Sequence, residues 1–359
     1  MDKFELTLLS HLGSNPLQSD TAVARRLGVS RESVARCIER LKKERNLLGI
    51  SAQVNYSRVG LESVACLLRC QPDSWPLLEA LCLEHPYTQY RIRCLGSQSG
   101  LFARFAIPPG TTALLLELFE NLVGLGRIES YDFHFPIANA VMPFSETDYS
   151  RYTPGKGWMF DWRAWEQSWR SDPSPPSAPL PSILDRLDIT DIRILSEVSF
   201  DMLRTQREMA LHARVSESTL SRRLDFLRSE QVIIGYRVRA GAFLTGLASI
   251  ALFRCKCNFR IVKQVSAAVS ELPFQCTVLP EQDGFVLYAT LSSLDIPIVC
   301  SILKRHCSSV EMFWCDYLSS FRWAFDSDPF QNGQWRTDHE YMVSNVMRGI
   351  APLLEKKVV

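Results

Sequence analysis

Apolar residues recur at helical spacing in two distant segments of the chain. The stripe in "SESTLSRRLDFL" consists of Leu220, Leu224 and Leu227, and the stripe in "SRESVARCIERL" consists of Val34, Ile38 and Leu41. Intervals of three and four residues place each set on one face of a helix. A serine precedes each stripe, and a serine side chain can cap a helix N-terminus. The pattern predicts two equivalent helices.

The two segments belong to a longer repeat with a constant offset of 186 residues, the separation of Val29 from Val215. The ungapped matches include Asp2 with Asp188, Leu9 with Leu195, Arg36 with Arg222, Glu44 with Glu230, and Gly60-Leu61 with Gly246-Leu247. Chance similarity does not hold register over that length. We therefore interpret the chain as two copies of one unit.

Each copy begins with three predicted helices and a β-rich run. In the second copy, "LDITDIRILSEV" and "TQREMALHARV" predict two helices before the helix that Ser216 caps, and "QVIIGYRVRA" predicts a wing. The first copy repeats this plan, with Gly28 at the turn where a positive φ is favourable for glycine. Both copies therefore predict a winged helix-turn-helix.

The pattern after each wing predicts the order β-α-β-β-α-β. In the first copy the segments run from "LESVACLLRC" to "RIESYDFHF", and in the second from "LASIALFRCKC" to "SVEMFWCDYL". This order is the ferredoxin-like split βαβ arrangement. We therefore predict an α+β fold made of two copies of a winged helix-turn-helix followed by a ferredoxin-like domain.

Composition marks a break between the copies. "GWMFDWRAWEQSW" carries four tryptophans and is predicted to pack as a strap across one domain, and "SDPSPPSAPLP" is predicted to be an extended linker. The predicted boundaries are 1–55 for the first winged helix, 60–140 for the first α/β domain, 141–187 for the linker, 188–240 for the second winged helix, 245–325 for the second α/β domain and 326–359 for a C-terminal extension.

The composition is that of a globular protein with a core, because 46% of residues are hydrophobic and 22% are charged. No apolar stretch approaches the roughly 20 residues that a membrane span needs, and "MDKFELTLLSHLG" lacks the apolar core of a secretory signal. We therefore expect a cytoplasmic protein without a membrane partner.

The sequence offers few candidates for metal or catalytic chemistry. There are 11 cysteines and no C-x-x-C pair, so we expect buried thiols and no metal site. No phosphate-binding loop, zinc-peptidase motif or Ser/His/Asp grouping occurs. We expect no catalytic residue, no cofactor and no enzymatic activity.

Positive charge is concentrated around the two equivalent helices. Residues 25–45 carry eight basic and three acidic residues, and residues 214–239 carry six and three, which leaves a net −7 on the rest of a chain of net charge +1. Helix-turn-helix modules insert the third helix into the major groove and hold phosphates with basic side chains. The predicted partner is double-stranded DNA. The predicted contacts are Ser30, Arg31, Ser33, Arg36, Arg40, Ser216, Ser218, Thr219, Arg222 and Arg223. The alternative is a solvated face on a winged helix that binds protein.

A winged helix followed by a βαββαβ domain resembles the Lrp/AsnC family of transcriptional regulators, and "VSESTLSRRLDFLRSEQVIIGY" and "GVSRESVARCIERLKKERNLLGI" carry the resemblance. It implies DNA binding by the third helices, dimerisation through the sheets and, in many members, modulation by an amino acid or similar metabolite. Fusion of two units predicts an intramolecular pseudo-dimer and leaves further homo-oligomerisation open. The implied effector contacts are Gly96, Ser97, Ser99, Gly100, Asp283 and Gly284.

Two departures bear on this resemblance. The family's Gly and Asp around the turn of the α/β domain are each retained in one copy only, since Ser99 replaces the Asp and Pro280 replaces the Gly. The rival interpretation is an enzyme, because siroheme decarboxylases share the domain plan. Their His-Asn-Tyr run has no counterpart in "YTQYRIR" or "FQCTVLP".

Overall fold

The computed structural model describes residues 2–14, 16, 18–96, 98–136, 142–169, 180–241 and 246–355. Helices α1 to α12 are, in order, Lys3–Ser14, Asp20–Leu27, Arg31–Lys43, Trp75–Glu84, Thr112–Gly124, Trp162–Gln167, Ile189–Phe200, Gln206–His212, Glu217–Ser229, Phe259–Ala268, Asp295–His306 and Asn345–Leu354. Strands β1 to β16 are Leu47–Val54, Glu62–Arg69, Thr88–Leu95, Gly100–Ile107, Ser130–His134, Phe144–Ser145, Tyr152–Thr153, Gly157–Trp158, Ile233–Ala240, Ser249–Lys256, Cys276–Glu281, Gly284–Leu291, Ser309–Cys315, Phe321–Arg322, Phe330–Gln331 and Gln334–Trp335.

Helices α1–α3 and α7–α9 form two helix-turn-helix units with the predicted caps. Ser30 accepts a hydrogen bond from the backbone N–H of Ser33, and Ser216 accepts one from Thr219. Gly28 ends α2 in the left-handed conformation, which costs glycine little. The fold class predicted from the sequence is confirmed.

The strand that follows each third helix does not form a local wing hairpin. Instead β1 and β9 pair antiparallel with each other, with Ile50 opposite Val238 and Ala52 opposite Tyr236. Each half offers a single strand here, and the other half supplies the partner that satisfies its backbone hydrogen bonds. The two helix-turn-helix units are therefore joined by one two-stranded sheet.

The two ferredoxin-like domains share one continuous sheet of order β5-β2-β4-β3-β13-β10-β12-β11-β6, with β14 added on β3. Strands β3 and β13 meet through Cys94 opposite Cys315. Side chains from both domains, including Phe102 and Phe313, also share one buried cluster. The sheets are thus in contact through both backbone pairing and side-chain packing.

Four charged side chains bridge the two domains beside this cluster. Arg69 on β2 pairs with Asp132 and Glu311 at 3.0 Å each. Arg254 on β10 pairs with the same two carboxylates, at 3.0 and 3.8 Å. Each half supplies one arginine and one acid, so the network ties the halves together in a defined register.

Two segments outside the repeated domains also pack on them. Trp162 and Trp165 of α6 are buried in the core of the second α/β domain, and Trp162 stacks on Phe274 with ring centres 5.5 Å apart. At the C-terminus, Val346 and Ile350 of α12 are buried in the core that includes the first α/β domain and both helix-turn-helix units. No helix in the described ranges is long and apolar enough to cross a membrane.

Candidate functional site

Two cavities lie between the β1–β9 sheet and the ferredoxin-like domains, and they share Arg237 and Arg322 as a common wall. The first, which we call the arginine cavity, also contains Arg104 and has a cavity volume of about 100 Å³ within about 900 Å³ of space that includes open solvent. The second, the tyrosine cavity, contains Tyr90 and Tyr288 and has a cavity volume of about 440 Å³ within about 1310 Å³ of such space.

Three arginines from three elements converge on the arginine cavity: Arg104 from β4, Arg237 from β9 and Arg322 from β14. Burial, and then the positive charge of Arg322, lower the pKa of Arg104 to about 10. Arg322 is exposed to solvent and also lines the cavity, where the protein atoms packed around it, and then the charge of Arg237, lower its pKa as well. The three positive charges lie around one cavity, and their fields add. The cavity therefore attracts negatively charged groups.

One carboxylate balances one of these arginines. Arg237 donates to Glu146 Oε1 from Nε at 2.8 Å and from Nη2 at 2.7 Å, and Gln53 Nε2 donates to the same oxygen at 2.5 Å. Burial lowers the pKa of Arg237, but the charge of Glu146 and its hydrogen bonds outweigh that effect and raise it overall. Arg237 is therefore a paired cation in a cavity that holds two others.

Several donors in the arginine cavity have no acceptor within the described part of the chain. Arg104 and Arg322 make neither an ion pair nor a side-chain hydrogen bond there, although Arg322 lies over the ring of Tyr90. Gln89 Nε2 and Asn55 Nδ2 are buried without a partner, and both residues line the cavity. Buried donors normally have acceptors. The cavity therefore presents several donors that an acceptor-rich group could satisfy.

The cavities also contain phenols that remain protonated at neutral pH. Tyr90 Oη lies 2.6 Å from Tyr288 Oη and 2.9 Å from Ser320 Oγ. Burial raises the pKa of Tyr90 to about 12 and the pKa of Tyr288 well above its usual value. Burial also raises the pKa of Tyr56, which lines the arginine cavity. These hydroxyls can donate protons or hydrogen bonds.

The predicted effector residues do not contribute to either cavity. Gly96, Ser99 and Gly100 lie at the turn between β3 and β4, and Asp283 and Gly284 lie at the turn between β11 and β12. None of these five lines either cavity. Ser97 lies outside the described residues. Gly100 has a structural role, because an added Cβ there would lie only 2.7 Å from the carbonyl oxygen of Leu68.

The predicted DNA contacts divide into exposed and paired residues. Arg31, Arg36 and Arg222 are exposed on α3 and α9 and make no ion pair within the described ranges. Ser30, Ser33, Ser216, Ser218 and Thr219 form the helix caps through hydroxyl contacts of 2.9–3.0 Å. The first half of each third helix therefore offers at least one exposed arginine that has no ion-pair partner in the described ranges, following an ordered cap.

The other two predicted arginines are tied to their own helix-turn-helix unit. Arg40 pairs with Glu5 at 2.8 Å. Arg223 pairs with Asp188 at 2.7 Å and with the buried Asp191 at 3.5 Å. Because these partners fix both side chains against α1 and α7, Arg40 and Arg223 stabilise the domain as well as adding to its charge.

Comparison with known families and structures supports two parts of this description. Residues 1–45 match the family model described as winged helix-turn-helix DNA-binding. The structure of the siroheme decarboxylase NirDL aligns with 97% of this chain and 99% of its own, at 13% identity and a TM-score of 0.57. A second NirDL structure, in complex with an iron-uroporphyrin III analogue, aligns to the same extent at 12% identity and a TM-score of 0.57.

Single-unit regulators align with only part of the chain. AsnC of Escherichia coli covers 40% of this chain with 95% of its own, at 19% identity and a TM-score of 0.33. No curated protein matches the chain in sequence. The chain thus carries a winged helix-turn-helix DNA-binding domain within a fold that NirDL shares over its full length.

These findings correct one expectation. The prediction that the protein is not an enzyme is wrong, because the structures that match it from end to end are those of an enzyme. The arginine cavity was not predicted from the sequence, although "LFARFAI" contains a signal for it: Arg104 is a lone charge in an otherwise apolar strand. Arg322 and Arg237 carry no comparable signal in the sequence.

Proposed function

We propose that this protein binds a polycarboxylated tetrapyrrole in the arginine cavity and removes carboxyl groups from it, as a siroheme-decarboxylase-like enzyme. The observation that carries the proposal is the convergence of Arg104 and Arg322, which have no carboxylate partner among the described residues, with the amides of Gln89 and Asn55, whose nitrogens have no acceptor there. Arginine is suited to carboxylates because its planar fork can bind them bidentately. The full-length likeness to NirDL supports this ligand class.

The residues of the cavity have distinct roles in this proposal. Arg104 and Arg322 bind carboxylates that are not lost and orient the macrocycle. In decarboxylation, the bond between the carboxyl carbon and its neighbour breaks, carbon dioxide leaves, and the carbon that keeps the electron pair takes a proton. Tyr56 faces the cavity as a protonated phenol and is our candidate proton donor. No oxidant is required.

Anaerobic incubation with siroheme, followed by mass analysis of the tetrapyrrole, tests the proposal. Loss of carbon dioxide in the wild-type protein, reduced in Tyr56→Phe while binding is retained, is the expected result. Loss of binding in Arg104→Ala would support the arginine cavity as the site. Tight binding without any loss of carbon dioxide would contradict the catalytic part. Absence of binding by the folded wild-type protein would contradict the ligand class.

We infer a second function, sequence-specific binding of double-stranded DNA as a transcriptional regulator of the Lrp/AsnC type. Arg36 on α3 and Arg222 on α9 support it, since both are exposed and lie at equivalent positions of the two helix-turn-helix units. A tetrapyrrole or other metabolite in the cavities would then act as the effector, because β1 and β9 connect cavity walls to both units.

Selection of bound sequences from random DNA tests the second function. Enrichment of a two-part motif supports it, and no enrichment with folded protein contradicts it.

We also infer that the chain arose by tandem duplication and acts as an intramolecular pseudo-dimer. The Arg69–Asp132–Arg254–Glu311 network supports this arrangement, and size measurements in solution show whether chains assemble further.

A further inference from the structure

The segment that follows the first ferredoxin-like domain contributes a carboxylate to the group of arginines. We propose that Glu146 is a built-in competitor for ligand carboxylates: it occupies Arg237 and thereby restricts the arginine cavity to ligands with several carboxylates that reach Arg104 and Arg322. The inference rests on the proposed polycarboxylate ligand and adds a residue that determines selectivity for it.

The position of Glu146 is set by the backbone around it. β6 pairs with β11, with Ser145 opposite Cys276, and Ser145 Oγ donates to the carbonyl oxygen of Phe274 at 2.6 Å. Residues on either side of Glu146 face different cavities, since Phe144 lines the arginine cavity and Thr147 lines the tyrosine cavity. Glu146 itself lines a third cavity, together with Asp148 and Arg151, and from there it contacts the arginine that the first two cavities share.

The geometry of the ion pair leaves room for exchange with a ligand. Arg237 uses Nε and Nη2 for Glu146, and its Nη1 makes no side-chain hydrogen bond to any residue that the structure describes. The side chain of Glu146 is 25% exposed and that of Arg237 is 8% exposed. A pair with one solvent-accessible partner can be opened at lower cost than a fully buried one, because the carboxylate keeps part of its hydration.

The charge of the site explains why such a competitor matters. Arg104, Arg237 and Arg322 carry three positive charges, and Glu146 reduces their sum to +2. Arg237 lines both cavities, so leaving it unpaired would let small anions bind at their shared wall. With Glu146 in place, a ligand gains most when its carboxylates are far enough apart to meet Arg104 and Arg322 separately.

Titration of variants with two ligands tests this role. The ligands are iron-free uroporphyrin III, followed by its fluorescence, and benzoate, a small monocarboxylate, followed by calorimetry. In Glu146→Gln we expect about tenfold tighter binding of uroporphyrin at low salt, together with a steeper loss of affinity as salt increases, because a third arginine becomes available. Benzoate should bind this variant measurably and the wild-type protein much more weakly.

Asp148→Asn is the matched control. Asp148 lies on the same segment and lines the same third cavity as Glu146, but it pairs with the exposed Arg151 at 3.7 Å and not with Arg237, so the affinities of this variant should equal those of the wild-type protein. If Glu146→Gln does not fold, Glu146→Asp is titrated instead, since its shorter side chain weakens contact with Arg237. A smaller gain in affinity is then expected.

The outcomes separate this inference from the proposed function. If Arg104→Ala leaves uroporphyrin binding unchanged, the proposed ligand site itself is wrong. If Arg104→Ala weakens binding but neither Glu146 variant tightens it, the competitor role is overturned and Glu146 only supports Arg237 structurally. Equal gains in the Asp148→Asn control would also overturn it, since the effect would then be one of general charge.

Discussion

The arginine cavity and the tyrosine cavity are built on equivalent strands of the two halves but present different chemistry. Arg104 on β4 and Tyr288 on β12 each lie four residues after the glycine that begins the strand. Gln89 and Gln275 line the corresponding positions of the two cavities. The backbone plan is thus repeated, but the position that Arg104 occupies in the first half is occupied by Tyr288 in the second. Apart from Arg237 and Arg322, the described residues that line the two cavities differ, so the repeated frame presents two different sets of polar groups.

The first prediction tests most directly whether the two cavities differ in ligand binding. Arg104→Ala should weaken uroporphyrin binding about 100-fold, because it removes a positive charge of the arginine cavity that a ligand carboxylate would meet. Tyr288→Phe, at the equivalent position, should change it less than about threefold. Fluorescence titration measures both. Equal effects of the two substitutions would show that the ligand does not distinguish the cavities.

The second prediction extends the comparison to the recognition helices. Arg222→Ala and Arg36→Ala should each cost about 1–3 kcal/mol in binding to a selected DNA site, since each removes a contact from an exposed arginine. Their half-sites should differ, because α9 presents Glu217, Ser218 and Thr219 where α3 presents Arg31, Glu32 and Ser33. Footprinting with base-by-base substitution measures this. Equal penalties in the two halves of a perfect palindrome would contradict the asymmetry.

The third prediction concerns a buried histidine in one half only. Burial lowers the pKa of His85 to about 3, and its Nε2 has no partner among the residues that the structure describes; the equivalent site before Pro273 is Leu272. The unfolded chain takes up a proton near pH 6.5 and the folded one does not, so stability falls as the pH decreases from 6.5 towards 3. At pH 5.5 the loss should be about 1.4 kcal/mol relative to neutral pH.

His85→Leu, which copies the second half, should remove this contribution. Urea denaturation of both proteins at pH 7.5 and 5.5 gives the comparison, and the difference in unfolding free energy between the two pH values should be smaller in the variant. A pH dependence unchanged by the substitution would mean that other groups account for it.

The fourth prediction is the smallest and concerns the pair of phenols. Tyr288→Phe should lower the free energy of unfolding by about 1 kcal/mol, because it removes one buried hydrogen bond while Tyr90 keeps its contact with Ser320. Thermal denaturation measures the change. A much larger loss would indicate that the phenols support the contact between the two sheets.

The sequence predicted the elements well where local rules apply. Serine caps, apolar stripes and the βαββαβ order all depend on neighbours within a few residues, and the structure has them at the predicted places. The wing was different: "QVIIGYRVRA" forms a strand, but its partner is β1 of the other half. Pairing between segments almost 200 residues apart leaves no local pattern.

The charge count shows the same limit. Arg237 was counted with the DNA-facing charge of residues 214–239, yet it is buried beside Glu146 in the cavity wall. A net charge per segment does not tell which face of a strand each side chain occupies once a second layer covers it. The surface that the second helix-turn-helix unit presents to solvent is accordingly less basic than the net charge of residues 214–239 suggests.

By itself, the sequence determined the repeated helix-turn-helix and ferredoxin-like units and the exposed arginines of α3 and α9, because periodicity and capping are encoded locally. Only the tertiary structure brought Arg104, Arg237 and Arg322 together, from strands β4, β9 and β14, and set Glu146 against one of them. Such a site arises when distant segments close around shared space. Its chemistry then depends on which polar groups remain without partners after folding, and no local pattern records that.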